Sequence, residues 1–360
     1  MRVLALTKYE RQAASTRQRL LQYLPFLADQ GIEVDVKPLF NAQYLSDLAQ
    51  NKPKNRVLVA KSYINRLGVL LKNHDYDLNW IHFEALPFMP AFVELLAMKG
   101  GPPFMVDMDD AIFHQYDAHA NGAVRKALGG KIATLLDHAA LVVAGNAYLA
   151  EYVRSHADVR IIPTVVDIEA YIPTKQNSSP TSRGGTVGWI GSPSTWRYVE
   201  PILPELLPLI ERAGWRFRAV GAGPMADRHA GVDNIPWQEA TEIAEVQQID
   251  IGIMPLPDEP WARGKCGYKL IQYMACGLPT LASPVGVNAQ IVEDGRTGFL
   301  CTSPEAWRDR IGLLMNDAGL RATMGANGRA RVEAQYSLQS QRSVMADAFR
   351  DAAQGRRRGK

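Results

Sequence analysis

Strand-like and helix-like runs alternate along this chain, and the alternation halts once before starting afresh. In the first half, residues 3–6, 33–39, 78–83, 104–108, 141–144 and 160–162 read as strands. Between them, Leu20, Leu24 and Leu27 form a helical stripe behind Ser15-Thr16-Arg17-Gln18, which has the form of a capping box. Residues 56–72 and 87–99 read as further helices. Residues 173–185, PTKQNSSPTSRGG, are polar and rich in Pro, Gly and Ser, and read as a linker. The pattern then resumes with strands at 186–190, 215–220, 251–254 and 280–283, and with helices at 198–212, 239–247 and 305–315. Residues 320–350 read as helix, interrupted near Tyr336-Ser337. Such alternation requires parallel sheets covered on both faces, so the predicted class is α/β with two doubly wound, Rossmann-like domains. Sheets of this kind bind ligands outside the carboxyl ends of their strands, which places a cleft between the two.

The totals exclude several classes. The chain has 360 residues, enough for two ordinary domains, and a net charge of +3, too mild for a nucleic-acid footprint. Part of that charge sits in residues 354–360, which read as a basic tail. Its alternative use is weak attraction to an anionic membrane surface. Cys266, Cys276 and Cys301 lack paired or metal-ligand spacing, which argues for a reducing compartment and a cytoplasmic protein. Residues 1–7 read as a first strand rather than a secretory signal. The longest apolar stretch, 85–98, is broken by Pro87, Pro90 and Glu94, so no span is predicted.

Residues 263–286, RGKCGYKLIQYMACGLPTLASPVG, carry the strongest chemical signal. A helix is predicted from near Gly267 to Gly277-Leu278-Pro279, with Leu270, Ile271 and Met274 at helical spacing. Arg263, Lys265 and Lys269 crowd its start, where the helix already carries partial positive charge. An anion on that terminus, a phosphate above all, reconciles the arrangement. Lys269 and Gln272 share a face, so one can hold a phosphate and the other a hydroxyl one turn deeper. The alternative is a solvated basic helix start in a surface loop.

The same segment resembles the nucleotide-sugar site of the GT-B glycosyltransferases, specifically retaining family 4 (glycosyl transferases group 1). Gly267 to Ser283, GYKLIQYMACGLPTLAS, follows the family's G-x(4)-E-A-M-A-x-G-x-P-V-V-A-S. Gly264 and Gln272 stand where the family's E-x7-E motif has glutamates, and a branch reading G-K-C-G-x-K-L-x-Q-Y-M is closer still. Ile162-Pro163-Thr164-Val165-Val166-Asp167, Val220-Gly221-Ala222-Gly223-Pro224 and Met324-Gly325-Ala326-Asn327-Gly328-Arg329 resemble further family motifs. The resemblance covers nearly the whole chain. It implies an acceptor-side domain at 1–172, a nucleotide-sugar domain at 186–336, and a final helix at 337–353 returning to the first domain.

The resemblance also assigns roles. Arg197, Arg263, Lys265, Lys269 and the N–H groups of Gly267 and Tyr268 would hold the donor diphosphate, and Gln272 would meet the ribose. The loop Gly191-Ser192 to Arg197 follows a strand where relatives carry diphosphate-binding cations; here Ser192 replaces the first and Arg197 is nearest the second. Asp107-Met108-Asp109-Asp110 follows another strand. Asp109 and Asp110 are the catalytic candidates, able to accept a proton or steady charge on the sugar, and one of the three carboxylates is expected as a helix N-cap. Ser15 and Arg17 offer a possible diphosphate or acceptor loop, with Ser15 as a plain cap the alternative. His82 and Glu84 lie near the acceptor or at its rim, and Trp237 and Trp261 either stack on a ring or pack.

The implied function is a metal-independent retaining transfer of a sugar from a nucleoside-diphosphate donor to a hydroxyl of a glycan or polyprenyl-linked acceptor, in surface polysaccharide synthesis. No cofactor is expected beyond the nucleotide sugar as co-substrate. A lipid-linked acceptor would favour peripheral contact with the inner membrane face through Arg125, Lys126 and Lys131. A catalytically silent nucleotide-sugar-binding module is the alternative. A nicotinamide or flavin oxidoreductase is disfavoured, because strand one lacks a following G-x-G-x-x-G.

Overall fold

The computed structural model describes residues 1–49, 52, 53, 55–173 and 184–355. Most of the predicted linker (174–183) and of the basic tail (356–360) lies outside them. The chain forms two compact units: unit 1 is Met1–Thr164, Gly264–Cys266 and Gln341–Lys360, and unit 2 is Val165–Arg263 and Gly267–Ser340. Residues 165–172, expected with the first domain, group with unit 2. Arg329, on the helix Ala318–Gln335, fastens them there by donating to the carbonyls of Ile168 (3.1 Å), Tyr171 and Ala275 (2.7 Å).

Unit 1 contains β1 (Arg2–Tyr9), β2 (Glu33–Phe40), β3 (Leu78–His82), β4 (Phe104–Met108), β5 (Leu141–Ala144) and β6 (Val159–Ile161). They form one parallel sheet in the order β2-β1-β3-β4-β5-β6. The order reverses between β1 and β3. β3, β4 and β5 are buried along their whole length, as parallel strands covered on both faces must be. Pro38 in β2 has no N–H to give the ladder. Buried Arg66, on the helix Arg56–Leu71, supplies a donor instead, to the carbonyls of Thr7 (2.8 Å) and Lys37 (2.7 Å). Burial pulls that guanidinium down to about 10. From the helix Leu338–Ala353, Phe349 meets Trp80 of β3 edge-on, with ring centroids 4.8 Å apart.

Unit 2 contains β7 (Thr186–Ile190), β8 (Arg216–Val220), β9 (Val232–Ile235), β10 (Ile251–Met254), β11 (Thr280–Ala282) and β12 (Gly298–Leu300). Its order, β12-β11-β10-β7-β8-β9, is the dinucleotide-binding arrangement, with its switch point between β7 and β10. β7 and β10 pair only at Ile251↔Val187 and Gly252↔Gly188 and then part. The Tyr273 hydroxyl bridges the gap, accepting from Ile190 N (3.0 Å) and donating to the Ile253 carbonyl (3.4 Å). Gly252 makes room for its ring, since a Cβ there would lie 2.4 Å from the ring carbons.

Several elements differ from the sequence reading. Ser15 lies inside the helix Ala14–Arg19, whose N-cap is Ala13, so the capping box does not form. A 3₁₀ turn, Leu21–Tyr23, splits the stripe at 20–27. The helix expected at 87–99 begins only after Pro90, at Ala91–Ala97, because Pro90 takes the N-cap. β9 and β12 carry no strand signal in the sequence. Both are short sheet-edge strands, so neither needs an apolar run on two faces.

Replacing Tyr273 by Phe leaves the Ile190 N–H without its acceptor. Denaturant unfolding should show a loss of about 1–3 kcal/mol, the cost of a buried unpaired donor.

Candidate functional site

In unit 2 the helix Tyr268–Ala275 starts beside the switch point. Its N-cap is Gly267, in the left-handed region at φ 66°. The first-turn N–H groups point out of the helix's amino end along the helix dipole, the direction an anion site requires. Lys269 lies across Gly191 at the end of β7: a Cβ on Gly191 would be 2.8 Å from Lys269 Cε, and the Lys269 ammonium sits 5.5 Å from the Trp189 ring centroid. Gly191, Lys269 and the Gly267 cap are therefore gathered at the ends of β7 and β10.

The neighbouring cations are placed differently. Arg197 is exposed and bonds the Tyr198 hydroxyl (3.0 Å), which in turn donates to Glu259 (3.1 Å). Arg263 is exposed and forks onto Asp258 (2.6 and 3.1 Å). Ser192 caps the short helix Pro193–Trp196 in a capping box with Thr195.

Gln272 does not present a free edge to a ribose. It is 2% exposed, and its amide donates to Glu242 Oε1 (2.8 Å) and to the Tyr171 hydroxyl (2.8 Å). Glu242 also accepts from Trp237 Nε1 (2.9 Å) and from Tyr171 (3.1 Å). This explains the amide at 272: a carboxylate there would face Glu242 at hydrogen-bond distance in a buried setting. Trp237 is thus a packed donor. Glu242 and Tyr171 had no signal in the sequence, being 30 and 101 residues from Gln272.

In unit 1, Asp107 ends up buried inside β4, with Arg19 Nε 2.8 Å from its Oδ1 and both side chains 1% exposed. Burial alone would lower the Arg19 guanidinium; Asp107 overcomes it and holds the group above its ordinary value. Asp109 and Asp110 follow the strand. His82 Nε2 donates to Asp109 Oδ1 (3.1 Å), and Lys265 lies 3.4 Å from Asp110. None of the three carboxylates caps a helix. Burial pushes the Asp109 carboxyl up, but His82, Arg19 and Lys265 together bring it below the usual range. Burial and the adjacent Asp109 charge raise Asp110 despite Lys265. The pair thus separates into an ionised acid and one that titrates higher.

Lys265 reaches this cluster because 264–266 belongs to unit 1. Asn146, the cap of the helix Ala147–Val153, donates to the carbonyls of Gly264 (2.9 Å) and Lys265 (3.1 Å), and Cys266 Sγ donates to the Asp109 carbonyl (3.1 Å). Burial pushes the Cys266 thiol well up, so it stays protonated. The role of Asn146 was not legible in the sequence.

His82 is buried rather than at a rim, and Phe83 beside it has φ 64° in a turn closed by Glu84 N to the His82 carbonyl (2.9 Å). A non-glycine residue held there is strained. Glu84 is anchored by Lys131 (2.5 Å) and the Tyr116 hydroxyl (2.7 Å), and Lys131 also meets Glu94 (2.8 Å). Lys131 is 3% exposed and so unavailable to a membrane, contrary to the sequence reading; Arg125 and Lys126 are exposed. In the loop after β1, Arg17 donates to the carbonyls of Arg11 (3.0 Å) and Gln12 (3.1 Å), while Ser15 is half-buried. Among the described residues, no three His, Cys, Asp or Glu side chains are arranged to hold a metal ion.

Residues 184–317 match the sequence profile of the family Glycosyl transferases group 1. A D-inositol 3-phosphate glycosyltransferase of Paenarthrobacter aurescens (strain TC1) is 25% identical over 249 residues, 61% of this chain and 60% of that protein's length. Among solved structures, a sucrose-phosphate synthase from Thermosynechococcus elongatus superposes with a TM-score of 0.73 at 17% identity, covering 97% of this chain and 98% of that one. HepE of Anabaena, solved with UDP and glucose, gives 0.68 at 18% identity over 97% and 99% of the two chains. The structural likeness establishes the fold class, that of the GT-B glycosyltransferases, for nearly the full chain.

Gln272→Glu should destabilise the protein by at least about 2 kcal/mol in denaturant unfolding, from a lost charge-assisted hydrogen bond and added repulsion. Adding Glu242→Gln restores one acid and one amide, and most of the loss should return. For Asp109, whose folded pKa is depressed, the stabilisation is full above the unfolded value of about 3.9 and is lost as pH falls through the folded value. Asp109→Asn should therefore lower the melting temperature at neutral pH and narrow its gap to wild type below about pH 4.

Proposed function

We propose that this chain is a retaining glycosyltransferase of family 4, moving a sugar from a nucleoside-diphosphate donor to a hydroxyl of a glycan or polyprenyl-linked acceptor. The observation that carries the reading is the Gly267-capped helix start at the unit 2 switch point, with Lys269 laid across Gly191. Bond breaking at the anomeric carbon puts negative charge on the leaving diphosphate. Fixed N–H groups and a nearby ammonium favour that charge without a metal ion, which supports a metal-independent reaction. Arg197 and Arg263, exposed on neighbouring loops, are the further diphosphate ligands, Arg197 after leaving the Tyr198 hydroxyl and the Glu259 carboxylate 3.9 Å away, and Arg263 after exchanging Asp258 for phosphate. Tyr268 adds a backbone N–H. Asp109, kept ionised, steadies positive charge on the sugar, and Asp110 with Lys265 handles the acceptor proton or its charge. Ser15 and Arg17 belong to the acceptor loop. A cytoplasmic protein with peripheral contact to the inner membrane face, serving surface polysaccharide synthesis, fits a lipid-linked acceptor.

A second reading, a catalytically silent nucleotide-sugar-binding module, is favoured by one observation. Gln272 is committed to Glu242, and Gly264 stands at the other glutamate position of the related motif.

Calorimetric titration of nucleoside diphosphates in EDTA should show binding, and Lys269→Ala should weaken it by about 1.5–3 kcal/mol, the range of a hydrogen bond to a charged group. Unchanged affinity removes the assignment. Transfer or hydrolysis of a labelled donor from a panel of nucleotide sugars separates the enzyme from the silent module.

A further inference from the structure

The helix Arg56–Leu71 carries large apolar side chains on its outward side as well as on its inward one. Arg66 and Leu70 are buried, and Arg66 is pinned to the backbone of β1 and β2. Ile64 lies two residues from Arg66, about 200° around the helix axis and so on the opposite side. Val57, Ile64 and Leu71 recur every seven residues and form one stripe, with Leu58 alongside. The helix Ala91–Ala97 is its neighbour, tied through Tyr63, whose hydroxyl donates to the Pro87 carbonyl (2.7 Å). Phe92 and Leu96, four apart, are exposed on it, and Phe88 is exposed on the loop before it. Val57, Ile64, Leu71, Phe92 and Leu96 are each 61–76% exposed.

Charge decides what covers these residues. Residues 55–74 contain no Asp or Glu. Residues 85–103 contain one, Glu94, which is fully buried against Lys131. The exposed charged side chains of the two segments include Arg56, Lys61, Lys72 and Lys99, and no carboxylate. The acids nearby lie at the ends of the stripe, Asp47 beside Leu58 and Lys61, paired with Lys52, and Asp75 past the last helical turn. Large apolar side chains rimmed mostly by cations are the composition of a surface that enters the headgroup layer of an anionic bilayer. A water-facing surface or a mixed-charge protein interface has no need to exclude acids over two separate stretches of chain.

We propose that the outward side of the helices Arg56–Leu71 and Ala91–Ala97, with Phe88, docks unit 1 onto an anionic lipid bilayer. This deepens the peripheral membrane contact proposed above, and moves it from the 125–131 segment to these helices. Aromatic and branched side chains enter the acyl boundary while Lys61 and Lys99 meet lipid phosphates.

The test is sedimentation of the full chain with phosphatidylcholine vesicles, with and without phosphatidylglycerol, in the absence of donor and acceptor. Partitioning should be about tenfold higher on the anionic vesicles. Ile64→Glu and Phe92→Glu should each reduce it about tenfold or more without changing the melting temperature. Leu313→Glu, at an exposed apolar position of unit 2, should leave it unchanged. Equal partitioning of wild type and both variants overturns the proposal. So does a concentration-dependent dimer that Ile64→Glu disperses, which would give this face to a second copy of the chain. Vesicle binding is read without any nucleotide, so its failure is separate from failure of the diphosphate titration.

Discussion

A parallel sheet must satisfy every backbone polar group, and both sheets here contain a place where the ladder cannot do so. In unit 2, β7 and β10 part after two paired positions, and the hydroxyl of Tyr273 takes up the stranded groups of Ile190 and Ile253. Tyr273 sits on the same helix as Lys269, so the repair also fixes that helix over the switch point and sets its amino end beside Gly191. In unit 1, Pro38 withholds a donor and the Arg66 guanidinium replaces it. That contact sets which side of the helix Arg56–Leu71 is turned away from the sheet. The two most informative surfaces of the molecule are thus both oriented by side chains that complete a ladder.

Charge is managed by burial in matched groups. Arg19–Asp107 and Glu84–Lys131–Glu94 are almost fully enclosed, and each would be costly with a partner removed. They brace the ends of β3 and β4, where the strained Phe83 turn and the Asp109–His82 contact lie. The Gln272–Glu242 contact follows the same logic on the other sheet: one acid, one amide and two aromatic donors leave no like charges facing.

The alternation of strands and helices was legible because buried parallel strands demand continuous apolar runs, and the helix after Gly267 was legible because glycine, cations and a proline stop punctuate it. Asp109, Asp110 and Lys269 could be singled out for the same reason: each lies next to such a boundary. What failed depended on distant pairings. Nothing local marks Glu242 as the partner of Gln272, Lys265 as the partner of Asp110, or Lys131 as an interior residue. β9 and β12, at the sheet edges, need too few apolar residues to leave a pattern. Ser15 failed as a cap because the helix starts two residues earlier than its side chain suggested.

The chain changes unit at 164/165, 263/264, 266/267 and 340/341. During synthesis, the amino-terminal sheet is therefore complete in sequence by Thr164 yet still lacks the three residues that carry Lys265 and the helix that carries Phe349. Trp80 waits for a ring made almost last. A nascent chain of this design cannot finish its first unit before its second, and no single cut in the gene yields both units intact.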